Sequence, residues 1–133
     1  MSAGAIAQLP PYAAMLDLRI GENVVTMPFS PHLIGSPGRL HGGSVAGLME
    51  IAANIKVRAA LENEPATIKP INVTVDYLRE GAMEDSHAEA FIMRIGRRVA
   101  NVRVEAWQGD RGRLIAAARM NLLIAREAPQ KAT

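Results

Sequence analysis

The sequence predicts an α+β domain in which an antiparallel sheet wraps around one long buried helix. Two observations lead to this class: a nearly unbroken apolar segment from Leu40 to Ala60, and four later segments in which apolar and polar residues alternate. An antiparallel sheet needs an apolar partner on its inner face. The long helix is the element of this sequence that can supply it.

The chain is short enough for one domain and apolar enough to form a core. Its 133 residues are 49% hydrophobic and 21% charged, which excludes a solvated disordered chain. We therefore expect one domain over residues 1–133, with a flexible tail from 125 to 133. The sequence has no apolar run of membrane-spanning length, and its apolar beginning lacks the basic residues of a signal peptide.

Composition also limits the partners and the chemistry. The formal net charge is +2, and one Trp, two Tyr and two Phe are too few for base stacking, so we expect no nucleic acid partner. The chain has no cysteine, which excludes thiol chemistry and is compatible with the cytoplasm. Its three histidines lack the spacing of metal ligands, so we expect no metal site.

The segment from Leu40 to Ala60 predicts a helix of about five turns. It contains no proline, and its apolar residues lie on nearly every side, which is typical of a buried helix. Before it we expect a short helix within Ile6–Leu16, interrupted by proline. A hairpin is then expected to pair Leu18–Ile20 with Val24–Met27.

Four alternating segments follow the long helix, and each predicts a strand. Short links separate them, so we expect an antiparallel meander of four consecutive strands. The predicted strands are Ile71–Leu78, His87–Ile95, Ala100–Trp107 and Leu114–Ile124.

Glu50 is the unusual residue of the long helix. A carboxylate on an apolar helix is costly unless it is paired, protonated or in contact with water. Helical spacing places it on one stripe with Gly43, Gly47 and Asn54. Glycine costs a helix about 1 kcal/mol relative to alanine, so the stripe indicates close approach of a second chain or a ligand. The alternative is that the glycines allow helix packing and an arginine pairs with Glu50 across an interface.

The beginning of the helix has the chemistry of an oxyanion site. Amides in the first turn have no acceptor within the helix, and Gly42 and Gly43 have no side chain to cover them. They can therefore donate to a carbonyl oxygen that gains negative charge. The alternative is a flexible entry into the helix, with His41 as a hydrogen-bonded spacer.

The string HGGSVAGLMEIA at residues 41–52 resembles the His-Gly-Gly segment of hotdog-fold acyl-CoA thioesterases, specifically the phenylacetate-degradation (PaaI-like) group. In that group an acidic residue follows the histidine by nine residues, and Glu50 has this position. The resemblance continues through residues 75–79, 95–98 and 112–116 in the family's order. It implies a hotdog fold, hydrolysis of acyl-CoA thioesters and a homodimer, with a dimer of dimers as a further assembly.

The resemblance also implies roles for individual residues. Glu50 activates a water molecule or attacks the thioester, the Gly42 amide polarises the carbonyl, and His41 shapes the helix entry or touches the acyl group. Coenzyme A arrives as part of the substrate, so we expect no separate cofactor. Arginines at turns are candidates for its phosphates. The substrate-binding candidates are Gly43, Asn54, Asn72, Arg79, Arg97 and Arg98.

Two positions depart from the family pattern. Gly35 stands six residues before the histidine, where family members often have Asn, and residues 70–72 read Pro-Ile-Asn where Ser or Thr is frequent. The residue that orients the water is therefore open between Asn72 and Asn54.

Two other functions stay open beside hydrolysis. The departures from the family pattern favour an acyl-CoA-binding module without turnover. A hotdog dehydratase instead pairs a histidine with the helix carboxylate, and His32 with Glu50 would form that acid–base pair.

Overall fold

The computed structural model describes residues 10–62 and 64–126. Within these residues the chain forms two α-helices, a 3-10 helix at Pro31–Leu33 and six strands. The helices are α1 (Pro11–Met15) and α2 (Gly42–Ala60). The strands are β1 (Arg19–Ile20), β2 (Val24–Met27), β3 (Ala66–Tyr77), β4 (Ser86–Ile95), β5 (Val99–Trp107) and β6 (Leu114–Arg126).

The strands form one antiparallel sheet, and α2 packs against its inner face. The strand order is β1-β2-β4-β5-β6-β3, so β1 and β3 are the edges. Helix α2 contacts every strand from β2 to β6. This arrangement confirms the predicted α+β class and the hotdog fold.

Helix α2 begins at Gly42 rather than at the predicted Leu40, because His41 is its N-cap. The imidazole Nδ1 of His41 accepts a hydrogen bond from the Gly43 amide at 2.9 Å, which satisfies a donor that has no partner within the helix. The helix ends at Ala60 as predicted. In the part of the chain that the structure describes, no helix is long and apolar enough to cross a membrane.

Small side chains on the sheet allow α2 to lie close to it. Leu48 and Met49 of α2 have no exposed surface and belong to one core with buried alanines of the sheet. Because protein interiors pack densely, short side chains on one layer accommodate long ones on the other. The sheet alanines are Ala88, Ala90, Ala100, Ala106, Ala116 and Ala118.

The predicted meander of four consecutive strands is wrong at its first strand. β3 pairs with β6, with Val75 opposite Ala118, whereas β4 takes β2 as its second neighbour. The meander is limited to β4, β5 and β6. Alternation of polar and apolar residues identifies a strand but not its partner, so the sequence pattern did not distinguish the two topologies.

Strand β3 begins earlier than predicted, at Ala66 rather than Ile71. A proline removes a backbone donor, which is tolerated at the edge of a sheet or at a bulge. Pro70 satisfies both conditions, because β3 is an edge strand and its register shifts between Pro70 and Asn72.

Strand β6 also extends beyond its predicted end, and this shortens the predicted tail. Ala125 pairs with Thr67, and Arg126 donates from Nε to the carbonyl oxygen of Arg97 at 2.9 Å. Residues 125 and 126 are therefore part of the sheet. The remaining tail, residues 127–133, lies outside the described residues.

The N-terminal elements agree with the prediction where the structure describes them. Helix α1 has Pro11 at its first position, which suits the fixed φ of proline. Residues 6–9 of the predicted helix lie outside the described residues. The predicted hairpin is confirmed, with Ile20 opposite Val25.

Candidate active site

A cavity of about 580 Å³ opens beside the beginning of α2. Its walls come from the loop before α2, the start of α2, the end of β3, residues 78–81 of the β3–β4 link, and β6. The apolar residues that line it include Leu40, Val45 and Ile115. The polar or glycine residues that line it include Gly35, Arg39, His41, Gly42, Tyr77 and Arg79.

The Gly42 amide points out of the helix start. The carbonyl oxygen of His41, in the same peptide unit, accepts hydrogen bonds from the Ser44 amide at 3.0 Å and the Ser44 hydroxyl at 2.7 Å. These bonds turn the carbonyl toward the helix, and in a trans peptide the N–H then points the opposite way. Since first-turn amides have no acceptor within the helix, the Gly42 N–H is available to a ligand in the cavity that Gly42 lines.

Tyr77 was not identified from the sequence, yet it contacts this helix start. Its hydroxyl donates to the Gly42 carbonyl oxygen at 2.9 Å, and a Cβ at Gly42 would lie 3.2 Å from its ring. The sequence pattern marks Tyr77 only as an alternating strand residue. Its role depends on β3 ending beside α2, which local periodicity does not reveal.

Gly35 explains one departure from the family pattern. A Cβ at Gly35 would lie 2.9 Å from the His41 Cα and 3.1 Å from its Cβ. His41 is fixed in this position by its amide, which donates to the Leu33 carbonyl oxygen at 2.8 Å. The backbone around His41 therefore leaves no space for an asparagine side chain at residue 35.

A buried amide holds the β3–β4 link against the cavity. Gln108 has no exposed surface; its Oε1 accepts from the Ala82 amide at 2.9 Å, and its Nε2 donates to the Ala82 carbonyl at 2.9 Å and the Ser86 hydroxyl at 3.1 Å. The link then binds the loop before α2, because the Leu40 amide donates to the Gly81 carbonyl at 2.9 Å. In the sequence Gln108 comes directly after a predicted strand, and no sequence pattern indicates that it binds the β3–β4 link.

Glu50 lies two turns further along α2, away from this cavity. It is half-buried, and it does not line the cavity beside Gly42. Among the ion pairs of the residues that the structure describes, none includes Glu50. Within one chain, therefore, Gly42 and Glu50 lie apart, although the family resemblance implies that both act on the same thioester.

The glycines on the Glu50 stripe contact side chains of the same chain. A Cβ at Gly43 would lie 2.9 Å from His41 Nδ1, and a Cβ at Gly47 would overlap the Tyr12 ring. Within one chain these glycines therefore accommodate the His41 and Tyr12 side chains, and the approach of a second chain or a ligand stays a prediction. The spacing correctly indicated close approach but not which group approaches.

The two candidate asparagines lie in different places. Asn54 is half-buried on α2, one turn after Glu50, and its Oδ1 is buried without a hydrogen-bond partner among the described residues. Asn72 accepts at Oδ1 from Asn121 Nδ2 at 2.9 Å, on the sheet face opposite to α2. Of the two, Asn54 is the one that shares a helix face with Glu50.

The candidate arginines divide between the two ends of the sheet. Arg79 lines the cavity beside Gly42. Arg97 and Arg98 lie in the β4–β5 turn and line a second cavity of about 480 Å³ together with Arg94. The register of β4 and β5 places this turn at the strand ends opposite to Trp107, so one chain does not bring all of these arginines together.

The histidines outside α2 make structural contacts. His32 lies with Nδ1 2.6 Å from the Ser30 hydroxyl and Nε2 3.2 Å from the Met15 carbonyl oxygen, so both ring nitrogens are engaged. His87 Nδ1 lies 2.9 Å from the Thr26 hydroxyl. Across residues 10–62 and 64–126, no group of three or more His, Asp or Glu side chains is arranged to hold a metal ion.

Comparison with known proteins assigns this fold and site to a family. The model described as the acyl-CoA thioesterase N-terminal domain matches residues 31–123. The chain belongs to this family. The match to the acyl-CoA thioesterase N-terminal domain includes the Gly42 cavity and Glu50, and it supports thioester hydrolysis as the general activity. No curated protein matches the chain.

Solved structures share the fold of this acyl-CoA thioesterase domain at low sequence identity. A thioesterase from Haemophilus influenzae is 20% identical, with 91% of this chain and 87% of that chain covered and a TM-score of 0.76. A Bacillus halodurans protein solved with coenzyme A is 19% identical, with coverage of 91% and 80% and a TM-score of 0.79. A phenylacetic acid degradation-related protein from Ralstonia eutropha JMP134 is 23% identical, with coverage of 86% and 90% and a TM-score of 0.72.

Proposed function

We propose that this protein hydrolyses acyl-CoA thioesters to a free carboxylic acid and coenzyme A, as a member of the PaaI-like group. The observation that carries the proposal is the Gly42 amide, which is directed out of the start of α2 beside an open cavity. An amide in this position stabilises the negative charge that develops on a carbonyl oxygen under attack. The family match supports the same reaction.

Glu50 supplies the second part of the reaction. As a general base, its carboxylate takes a proton from water, the water oxygen bonds to the thioester carbon, and the C–S bond breaks with its electron pair on sulfur. Glu50 then returns the proton to the coenzyme A thiolate. As a nucleophile, Glu50 bonds to the acyl carbon and expels the thiolate, and water cleaves the resulting anhydride. Both routes give the same products.

The proposed site is shared between two chains. At a rise of ~1.5 Å per residue, Gly42 and Glu50 are ~12 Å apart along α2. A thioester must place its oxygen ~3 Å from the amide and its carbon within reach of the carboxylate, which one helix does not allow. Two antiparallel α2 helices at a twofold axis bring Gly42 of one chain beside Glu50 of the other, so a homodimer has two equivalent sites.

The edge strand β3 supports this homodimer. It has 12 residues and pairs with β6 along one side, and its other side has no strand among the described residues. On β3, Ile71 is 53% exposed and Tyr77 is 56% exposed. A long edge strand with exposed apolar residues is a template for pairing with another chain. A dimer of dimers is the further assembly that we propose.

Asn54 is our candidate for the residue that orients the attacking water. Its Oδ1 has no partner among the described residues, although it is buried. An amide oxygen without a hydrogen bond is costly inside a protein, and a water held between Asn54 and Glu50 would satisfy it. The Asn72 side chain, which is bound to Asn121, is less available for this role.

The arginines are our candidates for the coenzyme A phosphates. A guanidinium matches phosphate in charge and geometry, and Arg97, Arg98 and Arg94 share one surface cavity. Arg79 lines the Gly42 cavity. Coenzyme A is part of the substrate, so the reaction needs no separate cofactor, and we place it in the cytoplasm.

A hydrolysis screen against short, medium, long and aryl acyl-CoA thioesters tests the proposal. Release of coenzyme A is measured with a thiol-reactive dye, and because the chain has no cysteine, the protein itself gives no background. We expect turnover of at least one thioester by the wild type and its loss in Glu50→Gln. A full panel without turnover would reject hydrolysis.

The second candidate function is acyl-CoA binding without turnover. Gly35 favours it, because the contact with His41 leaves no space for the asparagine that is frequent in the family. Measurable acyl-CoA affinity together with no turnover would support this alternative. The dehydratase alternative loses support because both nitrogens of His32 are engaged away from Glu50.

A further inference from the structure

Helix α1 places an aromatic ring on α2 next to Glu50. The Tyr12 ring occupies the space above Gly47, where a Cβ would overlap it and would also lie 3.3 Å from a Leu16 methyl. Leu16 is 1% exposed, whereas Tyr12 is 38% exposed. Gly47 precedes Glu50 by three residues, so these positions are neighbours on the helix surface. The partly open ring of Tyr12 therefore covers the helix position that neighbours Glu50 on this face.

The position of α1 is fixed from its C-terminal end. The Met15 carbonyl oxygen lies 3.2 Å from His32 Nε2, which donates to it, and His32 Nδ1 lies 2.6 Å from the Ser30 hydroxyl. The buried Leu16 packs into the main core directly after the helix. The hydrogen bond between Met15 and His32 and the packing of Leu16 thus hold α1 in place, and they keep the Tyr12 ring against α2.

We infer that Tyr12 determines acyl-chain specificity, its ring forming the wall of the acyl site beside Glu50. This inference rests on the proposed function, because the acyl carbon must come within reach of the Glu50 carboxylate. Two surfaces are available to the groups attached to that carbon. The cavity beside Gly42 is lined by Arg79 and by the ion pair of Arg39 with Glu80, and this polar lining suits the coenzyme A arm. The Tyr12 surface is apolar and suits the acyl chain.

A ring above Gly47 restricts the length of the acyl chain that fits. The wild type should therefore prefer short chains, and removing the ring should extend the site by the volume of a phenol. One methylene more or less in an apolar pocket changes kcat/KM by about 10- to 200-fold. We expect Tyr12→Ala to raise the kcat/KM ratio of dodecanoyl-CoA to butanoyl-CoA by at least about tenfold.

Two matched variants separate the ring from other effects on α1. Tyr12→Phe keeps the ring and loses only the hydroxyl, so it should keep the wild-type ratio. Met15→Ala changes a side chain on the same helix that is 56% exposed, and this variant should also keep the wild-type ratio.

Gly47→Ala tests the contact from the other side. In the wild-type background its Cβ overlaps the Tyr12 ring, so the ring must move and the ratio must change. In the Tyr12→Ala background the same substitution meets no ring and should leave the ratio unchanged. This non-additivity, measured as a double-mutant cycle, is the signature of the contact.

Each outcome decides the inference. An unchanged ratio in a folded Tyr12→Ala protein overturns it while leaving the thioesterase function intact. A wild type that cleaves no acyl-CoA overturns the proposed function and this inference with it. If Tyr12→Ala does not fold, Gly47→Ala carries the test, and a wild-type ratio in that variant overturns the inference.

Discussion

The hydroxyl of Tyr77 donates a hydrogen bond to the carbonyl oxygen of Gly42 at 2.9 Å. Tyr77 is the last residue of the edge strand β3, and Gly42 is the first residue of α2. The strand that we propose to pair with a second chain is therefore bonded to the turn that carries the oxyanion amide. In the proposed dimer, this bond would couple strand pairing to the position of the amide.

Tyr77→Phe should lower kcat without unfolding the protein. The ring stays against Gly42, and only one exposed hydrogen bond is lost, so we expect a decrease of about 2- to 12-fold. Steady-state hydrolysis and a thermal melt measure the two effects. Tyr12→Phe removes a hydroxyl elsewhere and serves as the control. Wild-type kcat in Tyr77→Phe would show that this bond does not position the amide.

Glu50→Gln should lower kcat by at least roughly 100-fold, because an amide is neither a base nor a useful nucleophile. The two side chains have nearly the same shape, and no ion pair of Glu50 is lost among the described residues. Circular dichroism and kinetics on the same sample check fold and turnover. A folded variant with near-normal kcat would make Glu50 a structural residue.

Mixed dimers should recover activity from two inactive parents. Gly42 is the first helical residue, where proline is tolerated, and His41 before it has φ −68° and ψ 130°, a conformation compatible with a following proline. Gly42→Pro therefore removes the amide N–H at little backbone cost. In a heterodimer of one Gly42→Pro chain and one Glu50→Ala chain, one site keeps both groups. Its amide comes from the Glu50→Ala chain and its carboxylate from the Gly42→Pro chain.

Gly42→Ala is the matched control for that experiment, since it adds a Cβ beside Tyr77 but keeps the amide. We expect Gly42→Ala to retain turnover and Gly42→Pro to lose it. Light scattering should give a dimer for every variant. Folded heterodimers without recovered activity, or an active monomer, would contradict a site shared between chains.

Arg97→Ala combined with Arg98→Ala should raise KM for acyl-CoA more than KM for a thioester that lacks the nucleotide. The two guanidiniums line a cavity with Arg94, far from Gly42 in the same chain, so kcat should change little. Arg19→Ala, at an exposed position of the edge strand β1, controls for loss of positive charge. Equal changes of KM for both substrates would remove the phosphate role.

Gln108→Met should lower the free energy of unfolding by about 1–3 kcal/mol, since it leaves buried backbone groups without partners. The Ala82 amide and carbonyl lose their bonds to Gln108, and the Ser86 hydroxyl loses its donor. Urea denaturation measures the change. Glu22→Ala, at an exposed position between β1 and β2, is the control. A stability equal to that of the wild type would mean that water replaces the amide.

The parts of the site that lie on one helix could be predicted from the sequence. The spacing from His41 to Glu50 and the two glycines at the helix start are local, and the structure has them on α2 as expected. Their partners could not be predicted in the same way. Tyr12 and Tyr77 each contact a residue of α2 that lies 35 positions away in the sequence, and nothing in local periodicity predicts such a contact.

The strand predictions are limited in the same way, because local periodicity does not identify partners that are distant in the sequence. Period-two alternation located β4, β5 and β6 within a few residues, because one face of each is buried. At β3 it located residues 71–77 but missed residues 66–70, and the pairing is with the last strand rather than the next. The predicted strand begins after Pro70, because the edge position that tolerates a proline is a property of the whole sheet.

The six alanines beneath α2 limit how the proposed substrate range of this protein can be altered. Enlarging any of them overfills a dense interior and costs about 1–3 kcal/mol. It would also lift the helix that carries both Gly42 and Glu50. Directed evolution toward new acyl groups would therefore have to leave the sheet unchanged and vary the layer on the other side of α2. In this chain that layer contains a five-residue helix, and in the proposed dimer a second subunit would complete it.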